Sequence, residues 1–258
     1  MKTFLKLYEK LSILALTAIL TPAFADDSNV VKLEHASSFY YSGGGFAGRD
    51  INIVVKVRNL APDKTVTLIY NDNNTGWNEL NIPFFSHHGN YDVFRLHQGA
   101  SSFGGGIEFA IRYDVNGSTY WNNNDGLNHY LGTGDTTIIE DNVVLDTMTA
   151  GTSYSCPGYY GCTYITPISG DIFLENLSYH KNVGVRCSSD GMNWYNIPAS
   201  YNYSRSGSNV EVWSYNGNHY SYGTYGVTPT IQCAAFYDGN WDNNFGQDFF
   251  VQDGETLN

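Results

Sequence analysis

Basic side chains are scarce in this sequence. Its 258 residues hold 13 Lys and Arg against 25 Asp and Glu, a formal net charge of −12. Nucleic acid and anionic membrane surfaces both require a basic face, so neither is expected as a partner. Charged residues of both signs make up only 15% of the chain, which excludes coiled coils and long disordered segments. After the first 25 residues no stretch is apolar enough to cross a bilayer as a helix, so membrane insertion is not expected. The signatures of nucleophilic, metal-dependent and phosphate-handling enzymes are missing: there is no GxSxG, no HExxH and no P-loop. No EF-hand spacing is present to hold Ca²⁺. The chain has four Cys, without CxxC spacing or neighbouring His, so no metal or other cofactor is expected.

What the chain has in quantity is aromatic and turn residues. Aromatics make up 16%, with 21 Tyr, and Gly numbers 27. That combination points to an all-β protein with many turns. At the start, Lys2, Lys6 and Lys10 accompany an apolar run from Leu11 to Leu20, followed by Ala23-Phe24-Ala25. This is the pattern of a signal peptide over residues 1–25, cleaved after Ala25, which predicts a secreted or periplasmic protein. No Cys follows the cleavage site, so a lipid anchor is not expected. Export predicts oxidised cysteines. Cys156 and Cys162 bracket a turn-rich loop, and Cys187 and Cys233 each fall in a predicted strand. Of the three possible connectivities, Cys156–Cys162 with Cys187–Cys233 is the expected one.

The chain also repeats itself. Asn29-Val30-Val31-Lys32-Leu33-Glu34 returns as Asn142-Val143-Val144-Leu145-Asp146, and Val57-Arg58-Asn59-Leu60 with Lys64 returns as Leu174-Glu175-Asn176-Leu177 with Lys181. Trp77 returns as Trp194 at the same offset, the Ile107–Asp114 block as Ile231–Asp238, and Trp121-Asn122-Asn123-Asn124-Asp125-Gly126 as Trp241-Asp242-Asn243-Asn244-Phe245-Gly246. Five blocks in one order predict two tandem domains, over residues 29–131 and 141–252, each about 100 residues and so of common domain size. Within each copy the hydrophobic period is two. Strands are predicted over 51–57, 65–70, 93–96 and 108–115, with Asn116-Gly117 as a hairpin turn and a shorter Asp238-Gly239-Asn240 turn in the second copy. The expected fold is all-β: two tandem antiparallel immunoglobulin-like sandwiches after the leader.

The Trp-Asn-Asn-Asn-Asp-Gly stretch carries the chemistry. Runs of Asn and Asp disfavour strand and helix, so it reads as a loop. A flat ring can stack on the apolar face of a sugar while neighbouring amides, each both donor and acceptor, read its hydroxyls. In this light the order Asn-Leu, Lys-Val strand, turn Trp, Glu108-Phe109-Ala110-Ile111-Arg112-Tyr113 and the closing Trp-Asn-rich segment resembles the family 21 carbohydrate-binding modules. The resemblance covers about residues 30–130 and, in more diverged form, 142–251. It implies a sandwich that binds α-1,4-glucans such as starch, glycogen or maltooligosaccharides without cleaving them. The residues it places at the ligand are Trp77, Trp121, Asn123 and Asn128 in the first copy, and Trp194, Trp241, Asn243 and Asp248 in the second. The chain departs from the family pattern at Asn122, where Asp is usual, and at His129, where Tyr is usual. Phe245, Asp248 and Phe249 alter the second loop, and Ala110 and Ala234 stand where some starch-binding members carry an aromatic.

Other readings compete. The Trp residues could be core anchors, and Asn123 and Asn243 could cap their own loop. Tyr159, Tyr160, Tyr220, Tyr222 and Tyr225 are further aromatic candidates. A glycosidase would need two carboxylates about 5–10 Å apart across a cleft. Glu108 and Asp114 share a strand face, but Glu108 is replaced by Gln232 in the second copy. The alternative function is a secreted protein-interaction module on the same fold, which would not be eluted by maltooligosaccharides.

Overall fold

The computed structural model describes residues 27–43, 46–72, 76–99, 105–156 and 161–257. The expected leader, Tyr159 and Tyr160 lie outside the described residues. Among those described, the chain is all β-strand and turn, with no helix.

Ten strands come from the first half: β1 (Val31–Gly43), β2 (Phe46–Arg58), β3 (Lys64–Asn71), β4 (Trp77–Ile82), β5 (Phe84–His88), β6 (Tyr91–Gln98), β7 (Ile107–Val115), β8 (Ser118–Asn122), β9 (His129–Leu131) and β10 (Thr136–Ile139). They form two antiparallel sheets. One runs β10-β1-β2-β6-β5, the other β4-β3-β7-β8 with β9 beside β7. Alternation places the strands. Along β7, Ile107, Phe109, Ile111, Tyr113 and Val115 point inward while Glu108, Arg112 and Asp114 point out. Their inward residues meet Val31, Leu33, Ile51, Ile53, Val55, Val66 and Leu68 in one core between the sheets.

The second half supplies β11 (Val143–Leu145), β12 (Met148–Ala150), β13 (Ser153–Ser155), β14 (Cys162–Glu175), β15 (Val183–Ser188), β16 (Tyr195–Ser204), β17 (Val210–Gly223), β18 (Ile231–Tyr237), β19 (Asn240–Asp242), β20 (Phe249–Val251) and β21 (Thr256–Leu257). These join one sheet, β19-β18-β15-β16-β17-β14-β12-β21, with β11 and β13 on β14 and β20 on β18. The sheet folds over a core of Ile168, Ile172, Val183, Val185, Ile197, Ile231 and Phe249. Strand β16 turns the corner, pairing β15 at its start and β17 at its end, with a register shift at Tyr201–Tyr203.

The first half also contributes Val54, Tyr91 and Val93 to this second core. Sheet β10-β1-β2-β6-β5 is therefore buried on both faces along β2, where Ile53, Val54 and Val55 are all buried in succession. The break in the period-two pattern at Val54 has this cause.

Both disulfides are those expected, Cys156–Cys162 and Cys187–Cys233. Cys187 and Cys233 are register partners on β15 and β18, facing the core. The two hairpins differ from expectation in one respect. Asn116 and Gly117 have φ of 50° and 75°, and Asp238 and Gly239 have 46° and 93°. Both are thus two-residue turns with positive φ at each position. The second hairpin is shorter in its arms, not in its turn.

Candidate functional site

The residues predicted to meet a ligand fall on the outer faces of β4-β3-β7-β8 and β19-β18-β15-β16, and in the loops that follow β8 and β19. The two halves arrange them differently.

In the second half Trp194 stands just before β16 and Trp241 on β19. They line one open cavity of about 420 Å³, with Arg186, Asn196 and Phe236. Phe236 lies on the solvent side of β18, yet is only 6% exposed. Trp241 covers it, with ring centroids 5.6 Å apart. Gly184 makes room beneath: a Cβ there would come within 2.9 Å of the Phe236 ring and 2.3 Å of the Ile197 carbonyl. Trp194 is fixed by its Nε1–H donating to the Gly191 carbonyl at 3.2 Å, and the Arg186 guanidinium sits 5.7 Å over its ring. The result is an aromatic wall and floor with one cation and two nearby amides, Asn182 and Asn196.

In the first half Trp77 is 52% exposed and Trp121 half-buried on the same outer face. Trp77 sits in register with Asn71 and Glu108, Trp121 with Arg112. Three strand gaps and four residues separate the two positions, about 20 Å. Arg112 occupies the place that Phe236 has in the second half. It binds Glu79 bidentately, both bonds 3.0 Å, and Asp114 at 2.9 Å. Asp114 also accepts from Thr119 at 2.6 Å, and Glu108 accepts from Asn128 Nδ2 at 2.8 Å. The two carboxylates weighed for hydrolysis are thus engaged with neighbours.

The Asn-rich loops have a backbone reason for their composition. Asn124, Asp125, Gly126 and Asn128 all have positive φ, as do Asn244, Phe245, Gly246 and Asp248. Asn and Asp tolerate that region better than other side chains. Asn123 is buried, and its Oδ1 accepts from Gly126 N–H at 3.0 Å; Asn243 Oδ1 does the same for Gly246 at 3.0 Å. Asn128 is half-buried, its amide on Glu108. Asp248 is also half-buried, and burial raises its carboxyl above the usual range. In the second half the loop leans on the first: Asn90 Nδ2 donates to Gln247 at 2.6 Å and Arg58 donates to the Phe245 carbonyl at 2.9 Å. Asn123 and Asn243 therefore cap their loops, and Asn243 and Asp248 do not line the Trp194–Trp241 cavity.

A second kind of cavity occurs in both halves, and the sequence reading did not single it out. Lys64 Nζ binds Asn59 Oδ1 and Asp92, beside a cavity of about 560 Å³ walled by Leu60, Phe84 and Phe94. Lys181 Nζ binds Asn176 Oδ1 at 2.8 Å and Glu211 at 3.4 Å, beside a cavity of about 710 Å³ walled by Leu177, Tyr179, Tyr201 and Trp213. The signal was present as an Asn-Leu with Lys five positions after the Asn, in both repeats. Among the described residues no group of three or more His, Cys, Asp or Glu is placed to hold a metal. No helix there is long and apolar enough to cross a membrane.

Comparison with known proteins bears on what these surfaces are. No family model matches the chain. Over 106 residues, 39% of its length, the chain is 31% identical to glucoamylase 1 of Rhizopus oryzae. The chain resembles a family 21 carbohydrate-binding module. The match spans only 16% of the glucoamylase. Among solved structures, the carbohydrate-binding module of the muscle glycogen-targeting subunit of protein phosphatase-1 is 24% identical, with a TM-score of 0.32, over 42% of this chain and 78% of that one. A cycloalternan-forming enzyme from Listeria monocytogenes is 11% identical, with a TM-score of 0.26, over 75% of this chain and 17% of the enzyme.

Proposed function

We propose that the chain is an exported, non-catalytic binder of α-1,4-glucans, built as two tandem copies of one module. The observation that carries this reading is the Trp194–Trp241 cavity. An exposed Trp241 ring and a half-buried Trp194 ring over an apolar floor, flanked by amides, suit the stacked face and hydroxyl edge of a glucose unit. Trp194 and Trp241 are assigned to stacking, Asn182 and Asn196 to hydroxyls. Asn123 and Asn243 act indirectly, by shaping their loops. Trp77, Trp121 and Asn128 form a weaker surface on the first half, divided by the Arg112 ion pairs. The paired Lys–Asn–carboxylate cavities are further candidates for the polymer. Two disulfides fit an oxidising compartment, in agreement with secretion or export to a periplasm. The similarity of one segment to a glucoamylase supports an α-glucan over other polysaccharides.

The test is electrophoresis through native gels containing glycogen, amylopectin, cellulose or no polymer. Retardation by the two α-glucans alone is expected, and a Trp194→Ala, Trp241→Ala double variant should lose most of it. Equal mobility in all four gels overturns the proposal, and the protein-interaction reading then leads.

A further inference from the structure

Trp194 lines a second cavity, of about 570 Å³, together with Tyr164, Tyr195, His219, Tyr220 and Tyr222. It lies at one end of the second half, where β14 and β17 run in register from Cys162–Gly223 inward. Tyr164 faces Ser221 in one row and, two residues along on the same face, Thr166 faces His219. Both rows should be apolar, as the rest of the core is. Instead five buried polar atoms gather there without a protein hydrogen-bond partner: Thr166 Oγ1, Ser221 Oγ, Tyr195 OH and both ring nitrogens of His219. His219 is 3% exposed, and its ring is stacked on Tyr195 with centroids 4.7 Å apart. Each such buried group left unpaired costs on the order of 1–3 kcal/mol, so the cluster is expensive unless something completes it.

The chemistry of the cluster selects what that is. Burial lowers the His219 pKa and keeps the ring neutral, with one donor and one acceptor nitrogen. The hydroxyls both donate and accept. Asp190, at the rim, is already satisfied by the N–H groups of Asn193 (2.7 Å) and Met192 (2.8 Å). Among the described residues that line the cavity there is no Lys or Arg, and Asp190 is the one carboxylate. An uncharged ligand with adjacent donors and acceptors and an apolar face fits rings and hydroxyls together.

We propose that this cavity is a second sugar subsite, adjoining the first across Trp194 and taking a neutral pyranose unit through the Trp194 and Tyr220 rings and through His219, Tyr195 and Ser221. The polar atoms lie behind the ring wall, so occupancy requires a small rotation of His219 or Tyr195. That rotation breaks no protein hydrogen bond, because these atoms have none to lose. The choice of a glucosyl unit rests on the α-glucan reading above, whereas the subsite itself rests on the cluster.

The test is a titration of the full chain with maltoheptaose, following histidine imidazole nitrogens by NMR and assigning His219 with a His219→Phe variant. The His219 resonances should move in the wild type and also in Trp241→Ala. Affinity should fall about tenfold in His219→Phe. Tyr195→Phe, which removes one hydroxyl and keeps the stack, should lose several-fold and serves if the first variant does not fold. Glucan binding with unmoved His219 resonances and full affinity in both variants overturns the subsite and leaves the Trp194–Trp241 reading intact. Movement of His219 with no effect of Trp241→Ala supports the subsite and overturns that reading instead.

Discussion

Lys56 Nζ lies 2.7 Å from Glu34 Oε1, with both side chains almost wholly buried where the two halves meet. Lys56 also donates to the Leu145 carbonyl at 3.3 Å and stands 4.3 Å over the Phe249 ring, both from the second half. Removing one partner of a buried pair leaves a charge without compensation and typically costs about 3–5 kcal/mol, whereas replacing both with apolar groups is often neutral. Lys56→Met should therefore destabilise by about that amount. Adding Glu34→Leu should recover most of the loss. Urea unfolding of the two variants and the double variant checks this, and equal costs for single and double would show that the pair is not the source.

Acid should act on this protein through histidines, against a carboxylate background of opposite sign. His129 is buried beside Phe109, 2.7 Å from Asn122 Oδ1, and burial pushes its pKa down to about 4. His35 is held down to about 3, by burial first and then by nearby Arg205, Arg95 and Lys56. A depressed His contributes stability above its ordinary value of about 6.5 and loses it as pH falls through the folded value. For His129 this amounts to about 3 kcal/mol between pH 6.5 and 4. Glu34 and Asp146 are raised by burial, to about 7 and about 6. Their contributions are full at acid pH and are lost as pH rises through those values. His129→Gln removes one member of the first group only. Its urea midpoint should thus rise relative to wild type as pH is lowered from 7 to 4.5, and parallel curves would refute the assignment.

The capping role of the loop amides is separable from ligand contact. Asn123→Ala removes the bond to Gly126 N–H and should cost about 1 kcal/mol. Trp77→Ala, at a ring 52% exposed, should cost less in stability. Thermal midpoints of the two variants make the comparison.

These loops show where the sequence was legible and where it was not. The period-two strands β3 and β7 could be read from local pattern, and both disulfides from the placement of the Cys in a turn-rich loop and in two predicted strands. The Asn run was read through its side-chain chemistry, while the positive φ angles at Asn124, Asp125 and Asn128 explain it through the backbone. Burial of Val54 against the second core, and the cluster at His219, arise from contacts between segments far apart in the chain. No window of sequence contains them. The two outer faces also differ at two register-paired positions, Arg112 against Phe236 and Thr67 against Gly184, inside segments that otherwise align.

The disulfides should differ in worth. Cys187–Cys233 closes a separation of 46 residues and Cys156–Cys162 one of 6. Loop-closure entropy assigns about 4 kcal/mol to the first and about 2 to the second. Paired Cys→Ala variants unfolded in urea should keep that order, and a reversal would place the stabilisation elsewhere than in the unfolded chain.

The difference between the two outer faces can be tested by moving it. In the first half Arg112 stands where Phe236 makes the floor of the second, and Thr67, its register partner, stands where Gly184 leaves space for that ring. Arg112→Phe alone should place a ring against the Thr67 side chain and gain little. With Thr67→Gly the ring has room to pack beside Trp121, as Phe236 packs, tilted by 48°, beside Trp241. The glycine weakens the strand by about 1 kcal/mol, and Glu79, freed from Arg112, is exposed enough to stay solvated. On a background of Trp194→Ala with Trp241→Ala, where retardation by glycogen should be nearly lost, the Arg112→Phe, Thr67→Gly pair should restore part of it. No restoration in a folded variant would mean that the aromatic floor is not what distinguishes the two halves.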